Sequence, residues 1–277
     1  MVARAISKRR PRPRRFSLRA WLPSKAARRR WWRAFRRLPL GGQIILGVLA
    51  VILVWAVANG VYQVLRKPTE LFFPVSGALH KTPAETWQRY APLFEAHATQ
   101  TITADFLAAL AQVESTGNPV ARTYWRWSAS THPFEVYRPA SSAVGMYQIT
   151  DGTFVQARRY CIRDHVAIED GPWYDWRSCW FNALYFRVLP SHAIEMTSAY
   201  LDVQVAAILA RHKLGNASLA RRQEIAAAVH LCGPRVAERI AARGMRAARG
   251  LKCGTHDAGL YLARARDLQQ VFARMMQ

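Results

Sequence analysis

Phe106-Leu107-Ala108-Ala109-Leu110-Ala111-Gln112-Val113-Glu114, continued by Ser115-Thr116-Gly117-Asn118-Pro119, decides how the rest of the chain is read. Phe106, Leu107, Leu110, Ala111 and Val113 recur at helical spacing, so the segment predicts a short helix with one apolar face. Thr103-Ala104-Asp105 offers a hydroxyl cap and an acid in the first turn, and Gly117 and Pro119 end the helix. Glu114 comes four residues after Leu110 and seven after Leu107, at the edge of that face. A carboxyl there loses hydration, which favours the protonated form and predicts a raised pKa suited to a general acid. The ordinary alternative is a last-turn glutamate bent out to solvent.

The second informative stretch is Ser141-Ser142-Ala143-Val144-Gly145-Met146-Tyr147-Gln148-Ile149-Thr150. Gly145 permits a sharp turn or a close backbone approach, and Gln148 offers both a donor and an acceptor. Together, Ala111 to Pro119 and Ser141 to Thr150 resemble the two leading motifs of the soluble lytic transglycosylases: Glu-Ser with Asn-Pro shortly after, then Gly-Leu-Met-Gln, here Gly-Met-Tyr-Gln. A third motif of that family, Ala-Tyr-Asn-Ala-Gly-Pro, aligns with Val229-His230-Leu231-Cys232-Gly233-Pro234, which keeps Gly-Pro and replaces the tyrosine by His230. The resemblance spans roughly residues 95 to 270. It implies a mainly helical, lysozyme-like domain of the goose type over residues 101–277, acting on peptidoglycan glycan strands without a cofactor. Glu114 would serve as the single general acid and base, with Ser115, Met146, Tyr147, Gln148 and His230 against the substrate. The reaction implied is cleavage between N-acetylmuramic acid and N-acetylglucosamine, the muramoyl 6-hydroxyl closing a 1,6-anhydro ring.

Ahead of this region the composition changes. Residues 1 to 37 carry 15 Lys or Arg and no Asp or Glu, so they hold +15 of the formal net charge of +23. With Trp21, Trp31, Trp32 and Phe35 interleaved, residues 1–43 read as a basic cytoplasmic tail for an anionic membrane surface, in preference to a nucleic-acid arm or a solvated tail. Ile44 to Leu65 is then 22 residues without a charge, interrupted only by Asn59 and Gln63. As a helix it would extend about 33 Å, enough to cross a bilayer. The cationic excess before it predicts a cytoplasmic N-terminus and an exported C-terminal part, hence a single-pass bacterial inner-membrane protein with its domain in the periplasm. Ala56-Val57-Ala58 keeps a cleaved signal peptide open as the alternative. Residues 66–100 read as a linker leading into the first helices, broken by Pro68, Pro74, Pro83 and Pro92.

Tyr124 to Pro139 holds Trp125, Trp127, Phe134 and Tyr137, which suit either sugar stacking or core packing. Trp173 to Pro190 is again aromatic, with Trp173, Trp176, Trp180, Phe181, Tyr185 and Phe186, and reads as a buried connection or a cleft wall. A long helix is expected from Ser191 to Gly215, with Glu195 and Tyr200 off its inner stripe, where they read as ordinary surface or packing residues in preference to cleft residues. Two shorter helices follow, at 221–231 and 234–242. The four cysteines, Cys161, Cys179, Cys232 and Cys253, allow three connectivities. In an exported domain the simplest pairing is sequential; four reduced thiols are the reading for a cytoplasmic one.

His192, His212, His230 and His256 lack ligand-like spacing, and there is no His-Glu-x-x-His run, phosphate loop or nucleophilic triad, so no metal site is expected. Three rivals stand beside the transglycosylase, one of them a membrane-tethered nucleic-acid binder acting through the basic tail. A lysozyme-type hydrolase would need a second carboxylate, with Glu135, Asp151, Asp175 and Glu195 available. A non-catalytic glycan-binding or secretion-apparatus scaffold would fit the altered third motif. A partner in cell-wall or secretion machinery is compatible with any of these readings.

Overall fold

The computed structural model describes residues 24–172, 174, 175 and 178–277. Trp21 and most of the basic tail, together with Trp173 and Trp176, lie outside the described residues. The protein is mainly helical. It divides between Ala58 and Asn59 into two compact units.

In the first unit, α1 (Lys25–Arg36) is capped by Ser24, whose hydroxyl accepts from Ala27 N at 3.2 Å. Helix α2 (Leu40–Arg66) contributes its residues up to Ala58, and large side chains such as Ile45, Val51 and Val54 stand exposed along it. Leu40–Arg66 is long and apolar enough to cross a membrane. The later helix Pro190–Arg211 also passes that length and composition test, but it is mostly buried within the second unit and is a core helix.

The second unit starts inside α2, earlier than a linker at 66–100 would place it. The two polar residues that interrupt the apolar run, Asn59 and Gln63, sit one turn apart and are buried. Asn59 Nδ2 donates to Tyr137 O at 2.8 Å and Gln63 Nε2 to Phe134 O at 2.5 Å. Residues 68–79 pack on the domain as two short 3-10 turns flanking α3 (Phe73–Ser76). The Glu70 carboxylate is their fixed point: it is buried, accepts from Arg122 at 2.7 Å and Trp125 Nε1 at 2.9 Å, and pairs with Lys67 at 3.3 Å. An unpaired buried carboxylate would be costly, so these partners hold the segment down.

The core forms where α4 (Pro83–Ala96), α5 (Ala104–Ser115), α7 (Pro190–Arg211), α8 (Leu219–Cys232), α9 (Pro234–Arg243) and α10 (Ala258–Met275) meet. Thr82 and Glu85 form a capping box that starts α4. Phe94, Leu107, Leu110, Ile194, Leu201, Ile225 and Phe272 are fully buried among these helices. Thr103 stands at the N-cap of α5, but its hydroxyl accepts from Gln223 Nε2 at 2.9 Å and does not cap the helix. At the other end Thr116 and Gly117 take positive φ, and Gly117 N reaches Ala111 O at 3.1 Å, a left-handed stop. Between α5 and α7 lie α6 (Asp151–Ala157) and two antiparallel hairpins, β1 (Trp125–Trp127) with β2 (Tyr137–Pro139) and β3 (Tyr160–Arg163) with β4 (Val166–Glu169). A last two-residue pair, β5 (Lys252–Cys253) and β6 (His256–Asp257), precedes α10.

Disulfides join Cys161 to Cys179 and Cys232 to Cys253, Cα atoms 5.6 and 5.2 Å apart. The second ties the end of α8 to β5, next to the start of α10. Each loop, 18 and 21 residues in separation, is worth about 3 kcal/mol on a chain-entropy estimate. Replacing Cys232 and Cys253 together by Ala should therefore lower the unfolding free energy by about 3 kcal/mol in urea melts. Ellman titration of the native, unreduced protein should find no free thiol.

Candidate active site

Glu114 is in the last turn of α5, and only 16% of its side chain is exposed. Tyr261, from α10, donates its hydroxyl to Glu114 Oε1 at 2.5 Å, and His230 Nε2, from α8, stands 3.4 Å from the same oxygen. Three helices thus converge on one carboxyl oxygen. Oε2 takes no hydrogen bond from the described residues and is the oxygen left for a ligand. Glu114 also lines an open depression of about 490 Å³ whose other walls are His80, Lys81, Thr82, Glu85, Val113, Ser115 and Thr116.

The electrostatics differ from what helix position alone implies. Burial pushes the Glu114 carboxyl up, but the hydrogen bond and charge of His230, then the Tyr261 hydroxyl and the charge of His256, outweigh it and hold the pKa below the ordinary carboxylate value. The expected upward shift is therefore reversed by partners that favour the carboxylate. Tyr261 is driven the other way, well above the usual phenol range, by its burial and by the adjacent Glu114 charge.

The loop after β2 is fixed from several sides. Gly145 has φ +82°, and a side chain there would run into Arg187 O. Its role is thus close approach of backbone to backbone. Ser115 Oγ donates to Met146 O at 2.7 Å, which ties the end of α5 to this loop, and accepts from Asn118 N at 3.2 Å. Met146 and Tyr147, expected against the substrate, are fully buried. Tyr147 donates to Leu107 O at 3.1 Å and meets the His230 ring edge-on with centroids 6.4 Å apart, so it backs the histidine from within the core. Gln148, at φ +47°, turns its amide onto Ala121 O and Gly145 O at 3.2 and 3.0 Å and closes the loop on itself. Arg187 adds bonds to Ser142 O and Ile149 O.

Other residues singled out in the sequence lie apart from this group. Tyr200 is buried and donates to Gln156 Oε1 at 3.2 Å. Glu195 accepts from Ile162 N at 3.0 Å and from the Tyr185 hydroxyl at 2.5 Å, a structural post that fixes β3 on α7. Glu135 pairs with Arg66 and Asp151 with Arg187. The acid that shares the depression with Glu114 is Glu85, whose Oε2 accepts from Thr82 N and Oγ1. Among the described residues no three His, Cys, Asp or Glu side chains gather as a metal cluster.

Tyr261 and Glu85 carry no motif in the sequence, and His256 enters there only as a histidine without ligand-like spacing. Tyr261 is separated from Glu114 by 147 residues, and its only local signal is an aromatic ring on the apolar face of an otherwise basic helix. Comparison with known protein families, characterised proteins and solved structures finds none that matches the chain.

The folded-state pKa of Glu114 lies below its unfolded value. The carboxylate therefore adds stability above the unfolded value, near 4.3, and gives it up as pH falls through the folded one. Tyr261→Phe removes a hydrogen bond that only the charged form uses fully. Carbon NMR titration of the labelled carboxyl should show its midpoint rising by about one unit or more, since a bond to a charged group is worth about 1.5–3 kcal/mol. An unmoved midpoint would contradict the coupling.

Proposed function

We propose that this protein is a membrane-anchored lytic transglycosylase with a lysozyme-like catalytic domain, cutting peptidoglycan between N-acetylmuramic acid and N-acetylglucosamine. The observation that carries the reading is the carboxyl of Glu114. One of its oxygens is held by Tyr261 and His230 and the other is left to a ligand, beside an open depression of about 490 Å³. The motif resemblance supports it independently, because Glu114 is the residue that resemblance assigns to catalysis.

The chemistry runs on one group. Glu114, protonated on Oε2, gives its proton to the glycosidic oxygen as the bond to the anomeric carbon breaks. The resulting carboxylate is the form that Tyr261 and His230 stabilise, which strengthens the acid at the moment it must release the proton. The carboxylate then takes the proton of the muramoyl 6-hydroxyl, whose oxygen attacks the anomeric carbon and closes the anhydro ring. Substrate that displaced water from the depression would push the carboxyl back towards its proton-bearing form, because burial acts in that direction on this group. Ser115 and Gln148 act by shaping the loop behind Glu114. The apolar segment 44–65, the cationic excess before it and the two disulfides support a domain on the periplasmic side of an inner membrane.

Glu85 favours a second reading. It lines the same depression, so a hydrolase with Glu85 as base or nucleophile competes with the single-carboxylate route. Its Oε2 is engaged in the capping box, which speaks for the structural role.

Mass spectrometry of peptidoglycan treated with the full-length protein in detergent tests the proposal. The native protein should yield anhydromuramoyl products, and Glu114→Gln should reduce turnover by about 10²–10⁴-fold with the fold retained. Glu85→Gln should leave turnover within a few-fold. Reducing-end products that vanish in Glu85→Gln would replace the transglycosylase by the hydrolase. An absence of any cleavage product would put a glycan-binding scaffold in its place.

A further inference from the structure

We propose that the domain has a second membrane-contacting surface, Leu71, Phe73 and Val75 with the aromatic hairpin at Trp127, which seats it on the lipid–water interface beside its anchor. This inference rests on the anchor reading given under the proposed function, and it concerns a part of the chain outside the apolar segment.

The first observation is that the end of the apolar segment is already part of the domain. Asn59 and Gln63 are bonded to the carbonyls of Tyr137 and Phe134, the Tyr62 ring stacks on Phe134 with centroids 5.1 Å apart, and Arg66 pairs with Glu135 at 3.0 Å. If residues 44–65 lie in a bilayer, the residues that grip 59–66 lie at the same level. From Asn59 to Arg66 a helix rises about 11 Å, and the Arg66–Glu135 pair marks where the uncharged run ends. The segment 134–137 therefore lies beside the polar end of that run.

The second observation is what surrounds that point. Leu71 and Phe73 are each 66% exposed, Val75 is 49% exposed, and they follow within nine residues of Arg66. On the neighbouring hairpin Tyr124 and Trp127 are 66% and 68% exposed. Phe73 and the base of the hairpin are braced by their neighbours. Glu70 holds Arg122 and Trp125, the Arg122 guanidinium lies 4.2 Å from the Phe73 ring centroid, and the Trp125 ring packs on Tyr137 at 5.2 Å. The patch and the end of the anchor thus share one set of contacts through Tyr137.

Composition selects the occupant. Aliphatic and aromatic side chains with the exposed Arg126 and the half-exposed Arg138 beside them match an interfacial belt, in which rings and methyls enter the acyl boundary and cations meet phosphate headgroups. Seating of this kind would fix the height of Glu114 and confine cleavage to glycan close to the membrane.

Photocrosslinking tests this in the full-length protein, reconstituted in phosphatidylethanolamine–phosphatidylglycerol vesicles. Benzoylphenylalanine replaces, one at a time, Leu71 or Phe73 in the patch, Val51 in the apolar helix, and Leu260, which is 73% exposed on α10. Lipid adducts are expected from positions 51, 71 and 73, well above those from 260. Adducts from 51 without 71 and 73 would overturn the seat and leave the anchor intact. No adduct at 51 either would overturn anchor and seat together. Protein–protein adducts from 71 or 73 would overturn it by assigning the patch to a second copy of the chain.

Discussion

The structure depends on keeping one carboxyl, that of Glu114, in a mostly buried place. Desolvation makes the charged form costly, and three elements distant in sequence offset that cost together: α5 carries the acid, α8 brings His230 and α10 brings Tyr261. Much of the remaining architecture acts to keep them in register. The Cys232–Cys253 disulfide clamps the end of α8 to β5, just before α10 begins. Tyr147 fills the space behind the His230 ring, and Ser115 fastens the glycine loop to the end of α5. The result is a site in which the acid and its partners stand on helices and the loop beside them is braced by its own amides.

The same principle, a buried polar group that must find a partner, holds residues 59–70 within the second unit. Asn59 and Gln63 would be a defect in a membrane span, but both find backbone carbonyls of the β1–β2 hairpin and its turn. Glu70, buried a few residues on, is met by Lys67, Arg122 and Trp125. Together these contacts hold residues 59–70 on the second unit, in and just before the stretch that its prolines mark as a linker.

Periodicity and punctuation carried most of the fold. The helix ended by Gly117, the helices around 191–215, 221–231 and 234–242, and the sequential cysteine pairs all follow from apolar spacing, Gly or Pro stops and loop length, and each has its counterpart in the structure. What was not legible is long-range. Asn59 and Gln63 announce a polar face on an apolar helix but not what that face meets. The pKa direction of Glu114 was misjudged because position on a helix reveals burial, while the partners that reverse the shift come from α8 and α10. Tyr261 has no motif, and Met146 and Tyr147 read as surface lining because a loop next to a glycine gives no sign that its side chains point into the core. Asp257, which caps α10 by accepting from Leu260 N at 2.9 Å, was the one local signal for that helix.

The central claim is that a single carboxylate performs both proton transfers and that the substrate's own hydroxyl replaces water. Digesting peptidoglycan with the full-length protein in heavy-oxygen water measures this directly. The account predicts products without incorporated heavy oxygen, because the anhydro ring keeps the 6-hydroxyl oxygen of the sugar. One heavy oxygen on the anomeric carbon at each cut would contradict it and make the protein a hydrolase.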